Sequence, residues 1–274
     1  MSKKSPEICL FGAGYVACRL APVLIKNGWQ VFATTRDKTT FDDLREAGIT
    51  PVLFGDDLPS ALNAALVTHP PHEGGDDTFL TYVHQLEEMD LDWFGYLSTT
   101  GVYGDAGGDW VDETSPLNAT GGRARNRITA ENQWQSTSLP WHIFRLSGIY
   151  GPGRNLVERL KEGKIDKMPA DDGPVNRIHV DDIVQILARS LNHPTAHEIF
   201  NVADDDPCST QATLLAAAEK LGLTNEVNAL PAAAPTPRGF MGEGHRKVSN
   251  QKVKTTLNIT LIYPSLEHWL KRQS

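Results

Sequence analysis

Short apolar runs alternate with segments of helical periodicity from the start of the chain to about position 202. The runs are five to seven residues long and rich in Val, Ile, Phe and Trp, which is typical of strands buried inside a sheet. The segments between them repeat apolar residues at helical spacing, as Val16, Leu20 and Val23 do in the first. This alternation predicts an α/β fold with a parallel sheet covered by helices on both faces.

The ends of the predicted elements follow from where each pattern stops. Pro22 lies inside the first predicted helix, where its missing N–H predicts either a kink or a late start of that helix. The predicted strands are EICLF, WQVFATT, TPVLF, ALVTH, WFGYLS, WHIFRL and EIFNV, and the predicted helices span residues 14–27, 41–47, 57–64, 77–89, 124–136, 153–163 and 181–192.

After about residue 205 the pattern changes. An alanine-rich helix, TQATLLAAAEKLG, precedes the proline- and glycine-rich stretch LPAAAPTPRGFMGEG, and SLEHWLKR predicts a short closing helix. The middle stretch predicts a mobile loop, either a lid or a plain surface connection. The predicted domains are a nucleotide-binding domain of residues 1–150 plus 174–205 and a smaller substrate or lid region of residues 151–173 plus 206–274.

Composition narrows the range of partners. The chain has 274 residues, 40% of them apolar, which suffices for a real core. Its formal charge of −8 leaves no sustained basic stripe, which argues against nucleic acid or an anionic membrane surface as a partner. The apolar run in MSKKSPEICLFGAG is too short for a signal peptide, and no later segment reaches the length of a membrane span. A soluble cytoplasmic protein, monomer or homodimer, with a small-molecule substrate is predicted.

Neither the cysteines nor the histidines predict a metal site. Cys9, Cys18 and Cys208 are an odd number without CxxC spacing, and the apolar surroundings of the first two predict buried free thiols. His69 and His72, in VTHPPHEGG, are separated by prolines that preclude helical spacing, and no third ligand is evident.

A glycine turn follows the first strand directly. In EICLFGAGYVA, Gly12 permits a tight turn, Gly14 lets a pyrophosphate approach the backbone, and Ala17 lets the next helix pack close to the sheet. Tyr15 and Val16 begin that helix, whose unpaired N–H groups attract an anion. This GxGxxA form of the dinucleotide fingerprint predicts a cofactor site.

The end of the second strand bears on the choice of cofactor. NAD-binding proteins usually carry Asp or Glu there to hold the 2′-OH of the ribose. Here FATTRD places Thr34, Thr35 and Arg36 at this position, a set suited to a 2′-phosphate, so NADP is favoured over NAD. Two alternatives stay open: Asp37 serves a ribose hydroxyl, or Arg36 is merely a solvated residue at the end of the strand.

Two further strand ends carry polar groups. After the third strand, Asp56 is a candidate acceptor for an adenine amino group, and Asp57 is a candidate N-cap for the helix predicted at 57–64. After the fourth strand, Thr68 and His69 are predicted to lie on the cofactor side of the sheet. Parallel strands end at the same edge, so these groups extend one predicted site.

Seven short segments between residues 7 and 206 occur in a recognisable order and spacing. They are FGAGYVA, GDDL, LSTTGVYGD, VDETSPLNATGG, FRLSGIYGPGR, RIHVDDIVQIL and IFNVADDDP. Together they resemble the extended short-chain dehydrogenase/reductases, the NAD-dependent epimerase/dehydratase family. This resemblance implies a Rossmann doubly wound sheet with a small C-terminal substrate domain, a nicotinamide cofactor and a nucleotide-sugar-like or other anionic substrate.

The resemblance also implies a catalytic Ser or Thr after the fifth strand and a Tyr-x-x-x-Lys pair on the next helix. Thr99 takes the Ser/Thr position in STTGVYG. Aligning ITAEN with the family's Ala-Glu, however, places Arg123 where the Tyr belongs and Arg127 where the Lys belongs. Arginine, with a pKa above about 12, stays protonated near neutral pH and cannot exchange a proton there. Both arginines are therefore predicted to bind an anionic substrate or the cofactor.

Other proton donors and two functions stay open. Tyr103 in GVYGD and Tyr150 in GIYGPGR are candidates, although both match family positions that are usually structural, as does His179. One hypothesis is an NADP-dependent oxidoreductase or epimerase-type enzyme whose proton relay uses Thr99 with Tyr103 or Tyr150, or groups of the substrate. The other is a non-catalytic NAD(P)-binding sensor or scaffold, since a fold can keep its binding site after its catalytic residues are lost.

Overall fold

The computed structural model describes residues 5–169, 173–193, 195–233 and 245–272. Each of the predicted strands is present, with its ends within two residues of the predicted ones. The strands are β1 (Glu7–Phe11), β2 (Gln30–Thr35), β3 (Thr50–Leu53), β4 (Ala64–Val67), β5 (Trp93–Thr99), β6 (Trp110–Val111), β7 (Trp141–Leu146), β8 (Gly148–Tyr150), β9 (Arg177–His179), β10 (Glu198–Val202) and β11 (Lys247–Val248).

All but one of the predicted helices are present, and two short helices that were not predicted, Thr224–Asn228 and Gln251–Thr256, occur as well. The helix predicted at 57–64 is absent: residues 57–63 form an irregular connection, and Ala64 begins β4. Pro59 disfavours the helical conformation in Leu58, and both Leu58 and Leu62 are buried without forming a helix. Asp57 is therefore no N-cap. The helices are α1 (Tyr15–Lys26), α2 (Phe41–Glu46), α3 (Asp77–Glu87), α4 (Gly122–Gln135), α5 (Leu156–Lys161), α6 (Val180–Ser190), α7 (Thr210–Leu221), α8 (Thr224–Asn228), α9 (Gln251–Thr256) and α10 (Leu266–Lys271).

The seven long strands form one parallel sheet of the Rossmann type, in the order β3-β2-β1-β4-β5-β7-β10, which confirms the predicted fold class. The chain runs outward from β1 through β2 to β3, then returns to β4 and runs outward on the other side. β1 pairs in parallel with both β2 and β4, so the carboxyl ends of these strands meet at one edge. In open parallel sheets a ligand binds where the strand order reverses. That point lies here between β1 and β4.

The sheet and its helices share an aromatic core. Trp134 of α4 packs on Phe94 of β5 and Phe79 of α3, with ring centroids 4.4 Å and 5.1 Å apart. Helix α1 starts at Tyr15 and runs through Pro22, so it does not start late. These residues belong to one compact unit, the described parts of Met1–Thr99, Arg125–Arg145 and Ile183–Phe200.

A second compact unit has its own small sheets and core. β8 pairs with β9 and β6 pairs with β11, both in parallel. Trp269 of α10 and Tyr150 of β8 pack with α5 and α7 in one hydrophobic cluster. The unit is formed by the described parts of Thr100–Ala124, Leu146–Asp182 and Asn201–Ser274.

Three expectations about surfaces and segments have different outcomes. All three cysteines are free thiols, but only Cys9 is buried. Cys18 is exposed, contrary to prediction, because it lies on the face of α1 that points away from the sheet. The predicted mobile loop falls largely on residues 234–244, outside the described residues. Among the helices that the structure describes, none combines the length and apolarity needed to cross a membrane.

Candidate functional site

The glycine turn at the end of β1 is held from two sides. Gly12 adopts a φ of +101°, which L side chains rarely adopt, and a Cβ there would lie 3.0 Å from Thr68 Oγ1. The N–H of Gly12 donates to Thr34 Oγ1 at 3.1 Å, and the Thr68 hydroxyl donates to Gly12 O at 2.9 Å. Thr68, predicted as a cofactor contact, thus braces the turn through its side chain.

The N-terminus of α1 has the features of an anion-binding site. Gly14 is its N-cap, and this glycine has no side chain that could cap the first N–H groups. The first turn holds no acidic residue, Gly14 is exposed, and a Cβ on it would meet nothing within 4 Å. The positive end of the helix dipole therefore lies beside an exposed glycine that leaves room for a ligand to approach the backbone. This geometry fits a dinucleotide pyrophosphate, as the fingerprint predicts.

The end of β2 presents Arg36 on an aromatic platform. Its guanidinium carbon lies 4.9 Å from the centroid of the Phe54 ring, a cation–π distance. Its Nη2 donates to Asp77 Oδ2, and Asp77 Oδ1 lies 2.6 Å from Nε2 of His72. Asp37, in contrast, accepts from both the N–H and the hydroxyl of Thr39. The carboxylate of Asp37 therefore caps a short 3₁₀ turn.

The remaining predicted cofactor contacts lie along the same edge. Thr35 is half-buried, and its hydroxyl accepts from the N–H of Asp37 at 3.1 Å. Asp56 is exposed, and its backbone carbonyl accepts from the hydroxyl of Tyr82 at 3.1 Å. His69 is tied to α3, with Nε2 2.6 Å from Thr78 Oγ1. Within the described ranges, no group of three His, Cys, Asp or Glu side chains could hold a metal.

Helix α4 holds the two arginines predicted at the relay positions in different surroundings. Arg123 is exposed, near the first turn. Arg127 Nη1 donates to the carbonyl oxygens of Leu97 and His69, at 2.6 Å and 3.3 Å, and to the Tyr96 hydroxyl at 3.0 Å. Its guanidinium thus binds the carboxyl ends of β4 and β5 rather than projecting to solvent.

A buried ion pair lies one helical turn further along α4. Glu131 and Arg145 have side-chain exposures of 0% and 3%, and Arg145 Nη2 donates to Glu131 Oε2 at 2.7 Å. The Ser98 hydroxyl donates to the same carboxylate. Three polar side chains from α4, β7 and β5 therefore satisfy one another inside the fold. The sequence pattern does not single out Glu131 or Arg145, although Glu131 lies in ITAEN, which aligns with the family's Ala-Glu, and Arg145 lies in the family segment FRLSGIYGPGR.

The two candidate tyrosines lie in the second unit and are buried. The hydroxyl of Tyr103 donates to Asn201 Oδ1 at 2.7 Å. The hydroxyl of Tyr150 has no hydrogen-bond partner among the described residues. Burial, with smaller contributions from the carboxylates of Asp204 and Asp182, raises the pKa of Tyr150 well above its usual range. Neither phenol is exposed enough to meet a substrate in this conformation.

Comparison with known proteins identifies the family. A family model described as the NAD dependent epimerase/dehydratase family matches residues 77–203. Protein YeeZ of Escherichia coli (strain K12) is 31% identical over 219 residues, 72% of this chain and 77% of YeeZ. This chain belongs to the NAD-dependent epimerase/dehydratase family. Its resemblance to the extended short-chain dehydrogenase/reductases is thereby confirmed.

Solved structures of this epimerase/dehydratase fold cover 97–99% of the chain. A functionally unknown conserved protein from Silicibacter pomeroyi DSS is similar, with 37% identity, 97% of each chain covered and a TM-score of 0.87. WbmG of Bordetella bronchiseptica, solved in complex with NAD, has 14% identity, 99% and 94% coverage and a TM-score of 0.76. Human epimerase family protein SDR39U1, solved with NADPH, has 16% identity, 97% and 98% coverage and a TM-score of 0.74. The last two show the fold alone.

Proposed function

We propose that this member of the epimerase/dehydratase family binds NADP at the β1–β4 switch point. The pyrophosphate would lie on the N-terminus of α1 and the 2′-phosphate against Arg36. The observation that carries the preference for NADP is the pair of contacts at the end of β2: Arg36 is exposed over Phe54, while Asp37 is bonded to Thr39. A guanidinium recognises phosphate through several N–H donors. When bound, the nicotinamide supplies or accepts a hydride.

Isothermal titration calorimetry tests this preference. Wild type is expected to bind NADP at least about tenfold more tightly than NAD, and Arg36→Ala to remove the difference, since a charge-assisted contact contributes about 1.5–3 kcal/mol. Arg45→Ala is the matched control, because Arg45 is another exposed arginine that pairs with an aspartate and stacks on a phenylalanine ring. Equal affinities for NAD and NADP in wild type would overturn the preference.

We propose, as the reaction, an oxidoreductase or epimerase-type conversion of a small anionic substrate such as a nucleotide sugar. Thr99 supports it, because this residue ends β5 and takes the family's Ser/Thr position at the edge to which β1 and β4 also point. Its hydroxyl would orient a substrate oxygen while the substrate's own groups exchange protons. NADPH oxidation with a panel of sugars, aldehydes and ketones is the assay for a net reduction. Product analysis of nucleotide sugars incubated with NADP is the assay for an epimerase-type conversion, which consumes no cofactor, and Thr99→Ala is expected to lower either turnover about a hundredfold.

The burial of the relay candidates favours a second function, a non-catalytic NADP-binding sensor or scaffold. Arg127 donates to two oxygens in β5 and to one just after β4. The phenols of Tyr103 and Tyr150 are buried. A chain that keeps the cofactor turn but has no accessible proton relay among these residues can still couple cofactor binding to a partner. Turnover that Thr99→Ala abolishes would contradict this function. NADP binding without turnover across the panel would contradict the first.

A further inference from the structure

Asp77 places a second charge beside the proposed 2′-phosphate site. It is the first residue of α3, and its Oδ2 accepts from Arg36 Nη2. The side chain of Asp77 is 26% exposed, against 67% for Arg36, so the carboxylate is the more firmly enclosed member of the pair. The two residues are 41 positions apart in the chain. Asp77 therefore reaches the end of β2 through the packing of α3 and not through local sequence.

His72 holds the Asp77 carboxylate from its other side. The backbone N–H of Gly74 donates to His72 Nδ1 at 2.8 Å, so this nitrogen is an acceptor and Nε2 is the donor of the ring. Nε2 then donates to Asp77 Oδ1 at 2.6 Å. Each oxygen of Asp77 thus has one donor. Partial burial opposes ionisation of Asp77, but the hydrogen bonds from Arg36 and His72 outweigh it and hold its pKa below the usual range.

The carboxylate affects NAD and NADP differently. The adenosine ribose of NAD ends in a neutral 2′-OH, whereas NADP carries a phosphate there. A phosphate close enough to bind Arg36 would stand within a few ångströms of Asp77 and would share one guanidinium with it. Like charges at such distances repel in proportion to their product, and the repulsion is only partly screened at a half-buried position.

We infer that Asp77 is a specificity residue that weakens NADP binding relative to NAD by competing with the 2′-phosphate for Arg36. This inference rests on the proposed NADP site. Arg36 provides the attraction for the phosphate, and Asp77 limits how far that attraction exceeds the affinity for NAD. Helix α3 therefore sets the ratio of the two affinities, although the cofactor fingerprint lies on β1 and α1.

Calorimetric titration of Asp77→Asn with NADP and with NAD tests the inference. Asparagine keeps an oxygen that accepts from Arg36 but removes the charge, so NADP is expected to bind about fivefold more tightly and NAD to bind unchanged. Glu267→Gln is the matched control: it removes one surface charge from another ion pair, with Lys271 in α10, and should alter neither affinity. Asp77→Ser is a second charge-removing variant that suits a helix N-terminus.

The outcomes separate this inference from the proposed function. If Arg36→Ala lowers NADP affinity while both Asp77 variants leave it unchanged or weaken it, the site stands and the role of Asp77 is refuted. If Arg36→Ala leaves NADP affinity unchanged, the proposed site itself is wrong. Tighter NADP binding in Asp77→Asn and Asp77→Ser, with NAD affinity unchanged, supports the inference. Equal tightening for NAD would instead show that Asp77 acts on the whole cofactor, and would overturn its role in discrimination.

Discussion

Two arginines at the same edge of the sheet, Arg36 and Arg127, have different surroundings and are suited to different roles. Arg36, at the end of β2, is exposed and pairs with the carboxylate of Asp77. Arg127, on α4, directs its Nη1 at three oxygens and lies over the Tyr96 ring, 5.5 Å from the centroid. Since recognition of a ligand needs donors that the protein has not already used, Arg36 is suited to an anion and Arg127 is suited to joining strands.

The same contrast extends to the surroundings of each arginine. At the edge of the sheet where β2 leads to Arg36, the neighbouring β1 leads to α1, whose N-cap Gly14 has no side chain to cap the first N–H groups. Around Arg127, Tyr96 is buried, and burial raises the pKa of its hydroxyl well above the usual range despite the nearby guanidinium. The surroundings of Arg36 are thus exposed and polar, whereas those of Arg127 are enclosed. Binding and proton transfer are separable properties of such a fold.

The largest expected effect tests whether α4 is chiefly a structural helix. Glu131→Ala removes the carboxylate that faces the buried Arg145 and accepts from Ser98, and breaking one side of a buried ion pair destabilises by about 3–5 kcal/mol. Urea denaturation measures the free energy of unfolding. Glu162→Ala, which removes an exposed partner of Lys164, should leave the midpoint unchanged. A decrease in the free energy of unfolding below about 1 kcal/mol for Glu131→Ala would show that the Glu131–Arg145 ion pair does not hold α4 in place.

A pH-dependent effect tests how enclosed the surroundings of Tyr150 are. Asp204 is 3% exposed, its Oδ2 has no hydrogen-bond partner among the described residues, and burial raises its pKa to about 8. From about pH 4, the unfolded carboxyl's pKa, to about pH 8, the folded state holds a proton that the unfolded state has lost. Stability therefore falls as pH rises through this window, by about 3 kcal/mol between pH 5 and pH 7.

Asp204→Asn removes that titration and should flatten the pH dependence by this amount. The measurement is the free energy of unfolding in urea at pH 5, 6 and 7 for both proteins. Glu267→Gln is the control, since a hydrogen bond from Lys271 holds the pKa of Glu267 below its usual range and outside this window. Parallel curves for wild type and Asp204→Asn would mean that Asp204 is already ionised near neutral pH, and that the region around Tyr150 admits water.

Arg127→Met tests the relay end directly. The variant loses the bonds to Leu97 O, His69 O and the Tyr96 hydroxyl, and is expected to destabilise by about 2–3 kcal/mol while NADP affinity changes less than about twofold. Urea denaturation and calorimetric titration give the two numbers. Arg125→Met, on an exposed position of the same helix, controls for lost charge. Reduced NADP affinity without reduced stability would place Arg127 in the cofactor site.

The parts of this fold that follow local rules could be predicted from the sequence. Alternating apolar runs gave the strands, because burial on both faces requires continuous hydrophobic segments. The GxGxxA turn was recognisable because Gly12 needs a positive φ and close packing against Thr68. The helix predicted at 57–64 is absent because Pro59 disfavours the helical conformation in Leu58, and Leu58 and Leu62 are buried without it.

The contacts that decide specificity could not be predicted, since they join distant segments. Arg36 was visible as a cation after β2, but its pairing with Asp77 and its stacking on Phe54 depend on how α3 and β3 pack. The helical pattern predicts a helix from residue 77, where α3 does begin. That pattern does not tell which way the Asp77 side chain faces. Likewise, alignment with the family segments located Arg127 but did not identify the oxygens to which it donates.

Gly14→Ala is expected to change the stability least, and it tests directly whether a cofactor approaches the glycine turn. Gly14 has a φ of −87°, which alanine adopts readily, and its Cβ would meet nothing within 4 Å, so the free energy of unfolding should stay within about 0.5 kcal/mol of wild type. The added methyl group would nevertheless stand where a pyrophosphate must approach the backbone, and NADP affinity should fall about tenfold or more. Gly121→Ala is the matched control, since a Cβ there also meets nothing within 4 Å. Unchanged NADP affinity in Gly14→Ala, with the fold intact, would show that the cofactor does not approach the backbone at this turn. The exposed edge near Arg36 would then differ from the surroundings of Arg127 without serving to bind the cofactor.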